Sequence, residues 1–346
     1  MRSVILAVML LLGCAGLRAG VEEREDVTFI LGCDEDPSSP MFGLAEKCSR
    51  ASSAMGAASV VSSLRSLSEV RAYLASHPPR NGRPWGLVQL VVHGNGGCQL
   101  ALPIVPGGED LMPSSLAAAV DRGSFQPLPD TLLDAGSELR ILGCALGRNG
   151  ELLRALSRAL GGNDSERPLV RASRYYTCYQ AVATRVSSPT RFLSEAWRFV
   201  HPLGQAPSLE AMQAKIRAEH PGLELDVAEA LTRTSPRFPG DTFSSRGPAS
   251  YHWTRIFRRP EDCPVLTDRT RLLCWLRELV PFSQHLDQAG LCLDSMDWTA
   301  HHITRTLDGC ERPSVKVEGT GEAIYIMRAL TLEPSWDDPA YFTSER

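Results

Sequence analysis

Two short apolar runs do most to restrict what this chain can fold into. Leu87-Val88-Gln89-Leu90-Val91-Val92 ends in His93-Gly94, and Leu139-Arg140-Ile141-Leu142 ends in Gly143-Cys144, fifty-one residues further on. Runs this short and this rich in Leu, Val and Ile read as strands buried on both faces, the kind that parallel sheets contain. Each run delivers a chemically capable side chain at its C-terminal end. That edge is where open α/β sheets bind ligands.

The segments around these runs fit the same reading. Residues 27–33 read as a first strand, and 60–77 carry helical spacing through Val61, Leu64, Leu67, Val70 and Leu74, with Ser68 as a cap for the second half. Cys98 to Val105 is apolar enough for a strand or hairpin arm, and Ser114 to Val120 can begin a helix. Glu151 to Leu160 is amphipathic, with Leu152, Leu153, Leu156 and Leu160 inward and Gly161-Gly162 as its stop. Pro168 to Ala172 begins another strand. Strands alternating with helices predict a three-layer α/β sandwich with a mostly parallel sheet over residues 25–204. Beyond 205 the pattern weakens. Helices are expected at 208–219, 225–234, 268–280 and 296–307, a linker at 235–250, and a hairpin joining 315–317 to 323–326 through Gly319-Thr320-Gly321. Residues 205–346 are therefore expected to form a mixed, largely helical C-terminal region.

With 346 residues, 43% of them hydrophobic and 22% charged, the chain can bury a substantial core. A formal charge of −4 with scattered arginines gives no electrostatic ground for a nucleic-acid partner. Arg2 followed by the apolar stretch Val4 to Leu12 reads as an export signal over residues 1–20, too short to span a bilayer. Leu11-Leu12-Gly13-Cys14 resembles a lipobox, which would place a lipid on Cys14, and cleavage near Leu17-Arg18-Ala19 is the competing reading. The expected location is periplasmic, outer-membrane as a lipoprotein, or secreted, with membrane contact only through that lipid.

Ten cysteines fit an oxidising compartment. With Cys14 lipidated or removed, nine remain, so at least one thiol has no intramolecular partner. Cys33 with Cys48, Cys98 with Cys178, and pairs among Cys263, Cys274, Cys292 and Cys310 are the candidate bridges, and Cys144 is the candidate free thiol. The C-terminal group lacks Cys-x-x-Cys spacing. His301 and His302, adjacent on an expected helix, would point about 100° apart. Neither signals a metal, and no cofactor is expected.

A thiol beside an imidazole suggests nucleophilic chemistry. The thiolate is the nucleophile, and a nearby histidine takes its proton and later protonates a leaving group. The N–H groups of Gly94 and Cys144 are candidate donors to the oxyanion of an acyl-transfer intermediate.

The stretches LVQLVVHGNGG, ELRILGCALGRNGELLRALSRALGG and PLVRAS resemble the caspase-like cysteine peptidases, a group that includes caspases, legumains, gingipains and clostripain. The resemblance covers residues 25–200 and is nearest to the bacterial CHAT-like domains. It implies a caspase-like sandwich, Cys144 as nucleophile, His93 as its partner, Gly94 in the oxyanion site, and a protein or peptide substrate. It also suggests Arg171 or Arg174 as contacts to an acidic substrate side chain. The Gln-Ala-Cys-x-Gly signature of caspases is absent, since Leu142-Gly143-Cys144-Ala145-Leu146 stands there.

Two other readings compete. An inactive caspase-like scaffold would serve as a secreted binding module. An α/β-hydrolase esterase would explain the His-Gly strand, but the Gly-x-Ser-x-Gly elbow and its cysteine form are missing, with glycines at 143 and 147 around Cys144.

Overall fold

The computed structural model describes residues 24–34, 41–53, 58–79, 82–94, 100–108, 110–180, 189–307, 310–332 and 335–346. The export signal, Cys14 and Cys98 lie outside these residues.

The first part of the chain runs β1 (Val27–Ile30), α1 (Met41–Ser53), β2 (Ser59–Val61), α2 (Leu67–Ser76), β3 (Leu87–Val91), β4 (Leu100–Pro103), β5 (Asp110–Leu111), α3 (Pro113–Asp121), β6 (Glu138–Leu142), α4 (Gly150–Leu160) and β7 (Leu169–Ser173). The strands β2, β1, β3, β6 and β7 lie side by side in that order, all parallel. Between β1 and β3 the order of strands along the sheet reverses, the switch point beside which open α/β sheets bind ligands at the strands' C-terminal ends. One face carries Phe29, Leu90, Leu139 and Ile141 against α2, α3 and α4. The other carries Ile30, Val91 and Leu142 against Phe42 and Ala45 of α1. The central strands alternate between two buried faces, which is why their sequence reads as an unbroken apolar run.

The chain continues through β8 (Tyr176–Gln180), β9 (Thr190–His201), α5 (Leu209–Glu219), α6 (Val227–Leu231), β10 (Thr242–Ile256), α7 (Arg269–Glu278), α8 (Val280–Gln288), β11 (Asp297–Leu307), β12 (Cys310–Leu332) and β13 (Phe342–Glu345). Strand β12 is the spine of an antiparallel sheet. Its first half pairs with β11 and its second with β9, β10 runs along its other side, and β8 extends the sheet beyond β9. The last strand, β13, returns to the first sheet and pairs antiparallel with β7. The molecule is thus mixed α/β with a largely parallel central sheet and, among the described residues, eight α-helices.

The C-terminal region corrects several expectations. It is built on long strands more than on helices. Residues 297–307 are strand β11, not a helix, because pairing along β12 overrides local helical spacing. His301 and His302 therefore sit on a strand. The expected hairpin at Gly319-Thr320-Gly321 is uninterrupted β12. Its glycines serve close approach, since a Cβ on Gly319 would lie 2.6 Å from the Trp298 ring and one on Gly321 2.6 Å from the His201 carbonyl oxygen. Much of the expected 235–250 linker is β10, an edge strand, where Pro248 can turn its missing N–H away from the pairing with β12.

Nearer the N-terminus, the expected long helix over 60–77 resolves into β2 and α2. Ser66, rather than Ser68, caps α2 by accepting the Glu69 N–H. Helix α4 keeps its expected inward leucines and is capped by Asn149, which accepts the Leu152 N–H.

The eight cysteines among the described residues are all unbridged, so Cys33 with Cys48 and the pairs among Cys263, Cys274, Cys292 and Cys310 do not form here. Cys274 lies on α7 and Cys310 opens β12, each held by the packing of its own element. Cys178 is a thiol buried between β8 and its surroundings.

Candidate active site

The offset between β3 and β6 builds the site. Leu87 pairs with Glu138 and Val91 with Leu142, a constant separation of fifty-one residues (138 − 87 = 51). His93 and Cys144 share that separation (144 − 93 = 51), so the two backbones run out of the sheet side by side. The Val92 N–H still bonds the Leu142 carbonyl at 3.2 Å, which carries the pairing to the threshold of both residues.

The turn after β6 is tightly constructed. A Cβ on Gly143 would lie 2.8 Å from the Val92 carbonyl oxygen, and one on Gly94 would lie 3.0 Å from the Cys144 carbonyl oxygen. Leu146 fills the space beside both glycines, 2.5 and 2.6 Å from those hypothetical atoms. Ala145 takes a left-handed conformation with φ of 55°, uncommon for a residue with a side chain. Its N–H bonds the Tyr175 carbonyl at 3.0 Å, tying the turn to the start of β8. Gly147 passes against β7, where a Cβ would stand 2.3 Å from the Ala172 carbonyl oxygen. Gly147→Ala is therefore expected to cost about 1–3 kcal/mol or more, because backbone must move against backbone. Urea unfolding of the variant checks this.

His93 is exposed, and its ring meets Phe42 of α1 edge-on, with centroids 4.7 Å apart. Phe42 can lie there because residue 32 is glycine, where a Cβ would come within 2.0 Å of the ring. The Asp34 carboxylate accepts the N–H groups of Phe42 and Gly43, both at 2.8 Å, and so fixes the start of α1. The His93 carbonyl accepts the Ala101 N–H at 2.9 Å. That bond leaves the Gly94 N–H out of the pairing. Neither it nor the Cys144 N–H donates a hydrogen bond among the described residues.

The Cys144 thiol is only partly accessible and lies among apolar and phenolic groups. Burial pushes its pKa up to about 11, and a hydrogen bond from the Thr177 N–H offsets only part of this. Its electrostatic neighbours include Tyr176, Cys178, Tyr179 and Tyr325. In the resting molecule the sulfur is a protonated thiol. Forming the thiolate calls for a base such as an imidazole to take its proton.

The two arginines differ. Arg171 is largely buried, held by Asp337 at 2.5 Å and the Trp336 carbonyl at 2.8 Å, with Glu138 at 3.4 Å. Arg174 is exposed just past the C-terminal end of β7. Its backbone carbonyl accepts the Arg148 guanidinium at 2.8 Å. The structure thus sets His93, Gly94 and Cys144 together, places Arg174 at the same edge of the sheet, and engages Arg171 elsewhere.

Sequence reasoning passed over α1, Phe42, Gly32 and the Thr177 contact. The apolar positions 41, 42, 45 and 48 do carry helical spacing and were the available signal for α1. Nothing local marks Thr177 as a neighbour of Cys144. Among the described residues no group of histidine, cysteine and carboxylate side chains could hold a metal, and no helix is long and apolar enough to cross a membrane. No family model, curated protein or solved structure matches the chain.

Proposed function

We propose that the chain is a caspase-like cysteine peptidase, exported from the cell, with Cys144 as nucleophile and His93 as its proton acceptor. The observation that carries this reading is the shared strand register. It sets the two residues side by side at the C-terminal edge of a parallel sheet, beside two backbone N–H groups that donate to no group among the described residues. The sheet's parallel strands and its helices on both faces support the family reading at the level of architecture.

In the proposed reaction His93 takes the thiol proton as the sulfur forms a bond to the scissile carbonyl carbon. The carbonyl oxygen becomes an oxyanion, held by the Gly94 and Cys144 N–H groups. On collapse the carbon–nitrogen bond breaks, and the imidazolium returns its proton to the departing amine. Water then adds to the thioester, giving its proton to His93, and the sulfur leaves, taking that proton back from the imidazolium as the acid is released. No cofactor takes part. Arg174, exposed at the same edge, is the proposed contact for an acidic substrate side chain.

One observation favours a second reading. A thiol held near 11 by burial suits an inactive scaffold as well as a resting enzyme. Alkylation separates the two. At neutral pH the free protein should react with iodoacetamide at Cys144 roughly 100-fold more slowly than an ordinary thiol, because it carries that much less thiolate. An acyloxymethyl-ketone peptide, which occupies the substrate site, should label Cys144 selectively. Peptide mapping that finds Cys144 unlabelled by the peptide probe, or bridged, would remove the peptidase reading and leave the scaffold.

A further inference from the structure

On the α1 side of the central sheet, towards the N-terminal halves of the strands, lies a cavity of about 420 Å³. It falls within the size range of small-molecule sites. Thr28, Gln89, Arg140, Tyr179, Arg191 and Trp336 contribute to its wall. The guanidinium carbons of Arg140 and Arg191 sit 4.9 and 5.1 Å from the centre of the Trp336 ring, so the indole organises both cations. Glu138 grips Arg140 from outside the cavity wall at 2.7 and 3.2 Å, which fixes the guanidinium plane.

The polar wall is rich in donors and poor in acceptors. The Gln89 Oε1 accepts the Thr28 hydroxyl at 3.3 Å, which leaves the amide NH2 as the donating end. Asp26 also lines the cavity, but one of its oxygens accepts the Leu87 N–H at 2.8 Å. The Tyr179 hydroxyl is buried and has no hydrogen-bond partner among the described residues. Burial raises its pKa, and the nearby Arg191 offsets this only in part, so the phenol stays protonated and able to donate. A buried hydroxyl left unpaired is costly, and in native proteins it calls for an explanation.

We infer that this cavity binds a small organic oxyanion, a carboxylate or a phosphate ester. Tyr179, Gln89 and the Arg140–Arg191 pair donate to its oxygens, and Trp336 supplies an apolar wall. The site uses neither Cys144 nor His93, so it goes beyond the peptidase proposal and does not depend on it.

Calorimetric titration of the purified full chain tests this, with inorganic phosphate and with acetate in separate runs at constant ionic strength. At least one anion should bind saturably with one site per chain, and the stronger of the two identifies the oxyanion class. Tyr179→Phe and Arg191→Gln should each weaken it about tenfold, while Cys144→Ala leaves it unchanged. Tyr179→Phe removes a hydroxyl with no hydrogen-bond partner among the described residues, so its thermal midpoint should equal or exceed that of the parent, which separates lost binding from lost folding. Absence of saturable binding by either anion, or undiminished binding by a folded Tyr179→Phe protein, would overturn the inference.

Discussion

His93→Ala is expected to lower peptide hydrolysis by about 10²- to 10⁴-fold, and Cys144→Ala to abolish it. The two losses differ in kind. Without the sulfur no acyl intermediate forms. Without the imidazole the thiol must ionise unaided, and burial holds its pKa near 11. The His93→Ala protein should therefore regain part of its rate as pH rises from 7 towards 10, gaining close to tenfold per pH unit. The parent should instead level off once the imidazole is neutral. Both variants should keep the parent's unfolding midpoint to within about 1 kcal/mol, because His93 is exposed and Cys144 is small. A His93→Ala protein with unchanged kcat/KM at neutral pH would exclude the dyad, whatever the fate of Cys144.

Stability should fall steeply in alkaline solution. The thiols of Cys144 and Cys178 and the phenols of Tyr176, Tyr179 and Tyr325 are only partly accessible, and burial holds each pKa above its ordinary value. The folded chain thus binds these protons more tightly than the unfolded chain. The resulting stability is complete below the unfolded thiol pKa of about 8.5. It is lost as pH climbs through the raised folded values. Cys144 alone, with a folded value of about 11, accounts for on the order of 3 kcal/mol, lost in full only above that value. The phenols add to the loss from about pH 10 upward. Urea midpoints measured from pH 7 to 10.5 should be flat at first and then drop. Cys178→Ala should soften the drop, since it removes one of the two thiols. A midpoint that stays level to pH 10.5 would mean that these groups are solvated, and with them the seam where Cys144 meets β8.

The parallel sheet was readable because its signal is local. Strands covered on both faces need continuous apolar residues, and Leu87 to Val92 and Leu139 to Leu142 have them. The amphipathic Glu151 to Leu160 was readable for the same reason. The adjacency of the β3 and β6 ends, which carry His93 and Cys144, was also foreseeable, since two such strands paired in register bring their ends together. The second sheet was not readable. In β11 and β12 polar and apolar residues mix, one face is covered by helices only in part, and Gly319 and Gly321 imitate a turn. Their strand character comes from partners far away in the chain, such as Trp298 against Gly319.

By itself, then, the sequence determined the buried strands β1, β3, β6 and β7, the amphipathic α4 and the strand-end positions of His93 and Cys144, because burial on two faces leaves a continuous apolar composition, whereas α1 and the division of 60–77 into β2 and α2 emerged only in the folded chain. Tertiary structure alone decided what surrounds those side chains. Thr177 and the tyrosines reach Cys144 from strands of the second sheet, Phe42 reaches His93 from α1, and Arg191 reaches the cavity from β9. A thiol's proton affinity is set by such neighbours, whose distance along the chain carries no information about their distance in space.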